Sequence, residues 1–242
     1  TFLKFQMNQQ SKQGQINKKT EQNEETEEIE VKLTLKAPTI IEVTITTDNI
    51  TITWKDFLKK LNKNNNREWF NENKDLYTES QQNVVSFLDE LIKEMSGFDE
   101  ELAKIDSKKA LFRIYRDTRF SKDKSPYKTN FGASLGMGKG NQKGGYYLHM
   151  EPGKSFLAGG IYMPESSVLK EVRKEISLYG EDFLKILNNK DFKKHFPELD
   201  QDDKLKKIPQ GFEKEDPMGE YLKLKNFIVV YSLKDEEVLD KN

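Results

Sequence analysis

Between Arg113 and Asn130 the chain reads RIYRDTRFSKDKSPYKTN, with six cations and two acids in eighteen residues. Arg113, Arg116 and Arg119 supply planar guanidinium forks suited to bidentate contact with carboxylate or phosphate, whereas Lys122, Lys124 and Lys128 are flexible point charges. Tyr127 and Asn130 add neutral donors, and Pro126 stiffens the segment and holds Ser125 extended. Such a set is chemically fitted to a phosphate, a carboxylate, a nucleic-acid backbone or an acidic protein segment. An architectural reading stands beside it: Asp117, Asp123, Glu151 and other acids pair with the arginines and pin the loop to a sheet. On a regular strand Arg113 and Arg116 fall on opposite faces, and a bend at Arg116-Asp117 would bring them together.

A second constellation sits on "GYYLHME" (145–151), where strand alternation puts Tyr147, His149 and Glu151 on one face. A His–Glu pair beside the cationic loop has the groups for general acid–base work, although a strand histidine also serves as a structural hydrogen-bonding residue. Lys223 and Lys225 in "YLKLKNF" point the same way if extended, and either enlarge the cationic surface or remain solvated. "GMGKGNQKGG" (136–145) lacks the G-x-x-x-x-G-K-[ST] pattern and a following helix, so it reads as a hairpin tip. No His cluster, H-E-x-x-H or Asp-rich loop suggests a metal, and no cofactor is expected. His195 in "KKHFPE" reads as local packing.

The elements that must hold these residues follow from periodicity. A short helix starts at Thr53, with Asp56 at capping-box spacing, and stops at Asn64-Asn65-Asn66. A long helix is expected from Arg67 to Met95, with Tyr77, Val84, Leu88, Leu91 and Met95 as its core stripe and Gly97 after it. Trp69 and Phe70 read as helix-to-sheet packing. Strand patterns cover 110–115, 130–137, 145–151 and 155–163, joined by short loops rich in Gly, Pro or Lys. Helices are expected from Ser166 or Ser167 to Leu178, over Glu181–Leu187 and around Phe192–Phe196, before a last strand at 226–233. Helices flanking hairpin-joined strands indicate α+β, an antiparallel meander sheet packed against several helices.

The chain has 40 basic and 41 acidic residues among its 242, so any anion binding is local rather than a property of the whole surface. The absence of cysteine excludes disulfides and thiolate chemistry. No run approaches the roughly 18 apolar residues of a membrane span. Residues 6–30 are rich in Gln, Asn, Lys and Glu and are expected to be disordered or extended. "VKLTLK" (31–36) and "IIEVTITT" (40–47) read as two strands at hairpin spacing, which gives a 1–52 extension ahead of a 53–242 domain. "LKDEEVLDKN" looks like the start of a helix whose remainder is missing. Thr1 in the first position is compatible with a removed organellar targeting peptide and equally with truncation.

The cationic stretch fits R-x-x-R-D-x-R-F-x-x-x-K-x-P-Y-K-x-N in every slot, through Arg113, Arg116, Asp117, Arg119, Phe120, Lys124, Pro126, Tyr127, Lys128 and Asn130. With "NNNREWFNENK" (64–74), "GGYYLHMEPGKSFLAGGIYMPE" (144–165) and "EYLKLKNF" (220–227), it resembles the domain-of-unknown-function 2461 family over about residues 55–240. The resemblance implies an α+β domain with no established activity, and a family whose members lack the first fifty residues seen here. Three functions are expected from the residues. The first is an accessory interaction subunit of a larger, mitochondrial assembly that engages protein partners through the extension. The second is an enzyme or binder of a small phosphate- or carboxylate-bearing ligand, with Arg113, Arg116, Arg119, Lys124 and Lys128 gripping it and His149 or Glu151 as acid–base. The third is a nucleic-acid backbone binder.

Overall fold

The structure, a computed structural model, describes residues 53–136 and 144–235. The expected hairpin at 31–47, the loop tip at 137–143 and, of the helix start expected in 233–242, all that follows residue 235 lie outside the described residues.

Four short runs form one sheet: β1 (Phe131–Leu135), β2 (Gly145–Met150), β3 (Ser155–Ile161) and β4 (Phe227–Leu233). They lie in the order β1-β2-β3-β4 and every neighbouring pair is antiparallel. Phe131 faces Met150, Ala133 faces Leu148 and Leu135 faces Tyr146, so all six turn one side of the sheet inward. The alternate residues Gly132, Tyr147 and His149 belong to the other side, as the two-residue period of a strand demands. Gly160, at φ +127°, sits where a Cβ would lie 2.1 Å from the Phe227 carbonyl oxygen, so only glycine lets β4 approach β3 there.

Helices cover the buried side. α1 (Thr53–Lys63), α2 (Arg67–Glu72), α3 (Lys74–Ser96), a 3-10 turn (Glu100–Lys104) and α4 (Ser107–Ala110) precede the sheet. α5 (Ser166–Leu178), α6 (Gly180–Leu187), α7 (Lys190–His195) and α8 (Gly219–Leu222) lie between β3 and β4. Val84, Leu88, Leu91 and Met95 of α3 pack with Trp54, Phe57 and Leu61 of α1 against β1 and β2. Ile176, Phe183, Phe192 and Leu222 gather around Ile161, Phe227 and Val229 in a second cluster. The molecule is thus α+β with an antiparallel meander sheet, and the α5–α8 block is inserted before the last strand. Lys55 of α1 pairs with Asp235 at 2.5 Å, and Asp235 also accepts the Gly153 N–H at 2.7 Å, which ties the end of β4 to the first helix.

Three expectations need correction. The long helix from Arg67 is broken at Asn73, whose φ −110° and ψ 26° are not helical. Its backbone N–H and its side-chain amide both donate to the Trp69 carbonyl, at 3.0 and 2.8 Å, and this local competition ends α2. The 110–115 segment is not a strand. Asp106 accepts the N–H groups of Lys108 and Lys109 and starts α4, after which Leu111 and Tyr115 make single bridges to Ala133 and Tyr127. Two partners on different segments cannot propagate a ladder. Lys223 and Lys225 are not on an extended segment either: Lys223 follows α8 and pairs with Glu220 at 2.5 Å, while Lys225 pairs with Asp203 at 2.6 Å.

Candidate ligand pocket

The cationic loop is rooted by Tyr127. Its buried ring stacks on Phe70 with centroids 4.0 Å apart and planes 14° apart. The Asn65 side chain clasps its backbone, donating to the Tyr127 carbonyl at 3.0 Å and accepting the Tyr127 N–H at 3.1 Å. Arg116 N–H donates to the Pro126 carbonyl and Lys128 N–H to the Ile114 carbonyl, which closes the segment into a narrow ribbon. Tyr127, packed against Phe70, has its phenol pKa raised, first by burial and then by Tyr115.

Charge on the ribbon is partly matched from within. Arg116 contacts Asp123, which also accepts the Ser125 hydroxyl and N–H, at 2.7 and 2.9 Å. The Ser125 hydroxyl, and then Arg116, hold the Asp123 carboxyl far below the ordinary range. Arg119 forks onto Asp117, with its closest contact at 2.6 Å, and lowers that carboxyl as well. Lys124 donates to the Thr118 carbonyl at 2.9 Å. Arg113, Lys122 and Lys128 form no ion pair with a carboxylate among the described residues, although the charge of Arg113 also helps to lower the Asp117 carboxyl. The Lys128 ammonium lies 5.5 Å from the Phe112 ring centroid, and its pKa is lowered by burial first and by Arg113 second. The seven expected anion-binding residues therefore do not converge on one point.

Four of them do line one cavity of about 360 Å³: Arg116, Tyr127, Lys128 and Asn130. Asn62 and Asn65 close it from the end of α1, with Asp123, Ser125 and Thr129 completing the wall. Arg113, Arg119 and Lys124 are not in that lining. The sequence offered no signal for Asn62 or Thr129, and Asn65 reads there only as part of a helix stop. Its pairing with Tyr127, 62 positions away, is a tertiary fact.

Behind two of these walls stand the residues of the second constellation. Thr129 donates its hydroxyl to Glu151 Oε1 at 3.0 Å, and Glu151 Oε2 lies 3.2 Å from His149 Nε2. His149 Nδ1 lies 3.1 Å from the Tyr147 hydroxyl and 3.3 Å from the Asn130 amide nitrogen. Glu151 accepts at Nε2 only from a ring that carries a proton there, and the Asn130 amide can donate to Nδ1 only where that nitrogen is bare. Gly132 makes this arrangement possible, because a Cβ at that position would meet the Tyr147 hydroxyl at 2.6 Å. His149 also stacks on Phe156, with centroids 4.6 Å apart. The His–Glu pair is not among the cavity-lining residues, and it contacts the lining through Thr129 and Asn130. In this geometry His149 and Glu151 position the wall residues.

Lys223 and Lys225 are matched to acids outside this pocket, and Lys204 shares Glu220 with Lys223 at 2.9 Å. No group of three or more His, Cys, Asp or Glu among the described residues is placed to hold a metal ion. Nor is any helix among them long and apolar enough to cross a membrane.

Comparison with known proteins agrees with the motif that carries this pocket. No curated protein and no solved structure matches the chain. A family model described as "Conserved hypothetical protein (DUF2461)" matches residues 53–242, which include the whole ribbon, the sheet and both helical groups. The pocket is therefore built by residues inside the matched region, and the chain belongs to the DUF2461 family.

Proposed function

We propose that the domain binds a small polar ligand bearing a carboxylate or phosphate group in the cavity between the end of α1 and the cationic ribbon. The observation that carries this reading is the cavity's lining: Lys128, which makes no ion pair among the described residues, four neutral hydrogen-bonding side chains, Asn62, Ser125, Thr129 and Asn130, and Arg116, whose partner Asp123 also lines the wall with its carboxylate turned onto Arg116 and Ser125. A volume of about 360 Å³ suits a small metabolite-sized molecule. The His149–Glu151 pair orients Thr129 and Asn130 and so fixes part of the wall before any ligand arrives. Titration of labelled protein with inorganic phosphate, acetate and citrate tests it. Amide shifts at Thr129 and Asn130 are expected to move, and Lys128→Met is expected to weaken the response by about tenfold. Equal responses in the wild type and in Lys128→Met would overturn the reading.

A second reading concerns the extension. The family match begins at residue 53 and leaves outside it a segment rich in Gln, Asn and Glu, a composition that becomes ordered by binding. On this reading residues 1–52 engage a protein partner in a larger assembly, with the organelle expected above as its setting. Comparing the native size and fractionation of the whole chain with those of residues 53–242 tests it. Identical behaviour of the two would remove it.

A further inference from the structure

The ribbon has a second notable region away from its cavity. Phe120 is 94 % exposed, the highest value among the exposed large apolar side chains. Its loop is nonetheless built in detail. Asp117 accepts the Arg119 N–H at 3.2 Å, Ser121 N–H donates to the Thr118 carbonyl at 3.4 Å, and Lys124 returns to that same carbonyl. Asp123 fixes the other side through Ser125 and Arg116. These bonds turn the loop's two acids towards its own groups, while Arg113 and Lys122 form no ion pair among the described residues and Lys124 spends one donor on a carbonyl. An apolar ring is thus held out at the apex of a loop with net positive charge.

We infer that this loop is a docking point for an anionic lipid surface, with Phe120 entering the interface and Arg113, Arg119, Lys122 and Lys124 meeting the headgroups. Two features favour a bilayer over a nucleic-acid strand. The Arg119 guanidinium lies 5.8 Å from the Phe120 ring centroid and occupies a face on which a base would stack. Within residues 117–125 Phe120 is also the one aromatic residue, and the ribbon's other exposed rings, Phe112 and Tyr115, already lie against Tyr147 and Lys128 and against Phe70 and Tyr127. A lipid surface supplies both chemistries at once: an apolar layer for the ring and negative charge for the cations just above it. One ring and a few cations give weak, reversible attachment.

The test is co-sedimentation of the full 242-residue chain with vesicles of phosphatidylcholine alone or with a third of the lipid replaced by phosphatidylserine. Binding is expected to the mixed vesicles only, to fall with added salt, and to drop about tenfold in Phe120→Ala, the loss of one partly inserted ring. Lys122→Glu is expected to weaken it further. Both side chains are exposed, so circular dichroism of the variants should match the parent. No binding to the mixed vesicles overturns the proposal, as does binding that Phe120→Ala leaves unchanged, which would assign attachment to another segment. Binding of an oligothymidylate that needs Phe120 and is not displaced by mixed vesicles would overturn it in favour of nucleic acid.

Discussion

Lys223 and Lys225 meet Glu220 and Asp203 at 2.5 and 2.6 Å, and Lys204 takes the second oxygen of Glu220, whereas Arg113, Lys122 and Lys128 form no ion pair with a carboxylate among the described residues. Both stretches look basic in the sequence. They differ in where their acids come from. Around Glu220 the chain folds back so that Asp203 and Lys204 arrive from a distant turn and complete the pairing. On the ribbon the acids are local: Asp117 serves Arg119 and Asp123 serves Arg116, and two carboxylates cannot match six cations. Cation density in a window is therefore a poor guide to free positive charge. What counts is whether the fold brings in acids from elsewhere.

Experiments can break or sharpen this contrast. The largest effect is expected at the ribbon's root. Tyr127→Ala removes a buried ring stacked on Phe70 and should lower unfolding free energy by about 3 kcal/mol in urea denaturation. It should also release amide protection across 113–130 while the Glu220 region keeps its own. A loss confined to a few tenths of a kcal/mol would mean the ribbon is not anchored there. Gly132→Ala should follow, at about 1–2 kcal/mol, because the new methyl group forces Tyr147 aside. The His149 ring-nitrogen shifts should move with it as Nδ1 loses the Tyr147 hydroxyl.

Glu220→Gln tests the matched side. It leaves Lys204 and Lys223 without their carboxylate and makes that region resemble the ribbon, yet the melting temperature should barely move, since such exposed pairs contribute little. A large drop would show that the two regions differ in stability as well as in pairing. The smallest effect is in acid. Lys223 and then Lys204 hold the Glu220 carboxyl down to about 2. A depressed carboxyl favours the fold above its unfolded pKa, near 4.5, and that contribution disappears as pH falls through the folded value. Carboxyl NMR should place the Glu220 midpoint near 2 in the parent and return it towards 4.5 in a Lys204→Ala, Lys223→Ala double variant. The Asp123 carboxyl should stay depressed in that variant, because Ser125 and Arg116 act on it independently.

Much of the fold was legible because it rests on periodicity. The stripe of α3, the alternation of β2 and the return of β4 each write their burial into residue spacing. The failures occur where a side chain competes with the backbone. Asn73 and Asp106 use local hydrogen bonds to break or start helices, and no apolar period records that. The pocket was half legible. Arg116, Tyr127, Lys128 and Asn130 stand in one motif, but Asn62, Asn65 and the contacts of Thr129 with Glu151 depend on tertiary approach. The face shared by Tyr147, His149 and Glu151 followed from strand alternation. Their place behind the wall, rather than in it, did not.

The tie between Lys55 and Asp235 has a consequence for how the molecule is made. The first helix gains this partner only from a residue synthesised after β4 and after α2–α8, and the chain must pass through the entire α5–α8 block before β4 can reach β3. The hairpin β1-β2-β3 can pair as it leaves the ribosome, since its partners are neighbours in the chain. Final closure is a long-range event and slow by comparison. A nascent chain stalled before β4 would keep Ile161 and the inner faces of α5 and α6 uncovered, and at that stage it most needs a chaperone's protection.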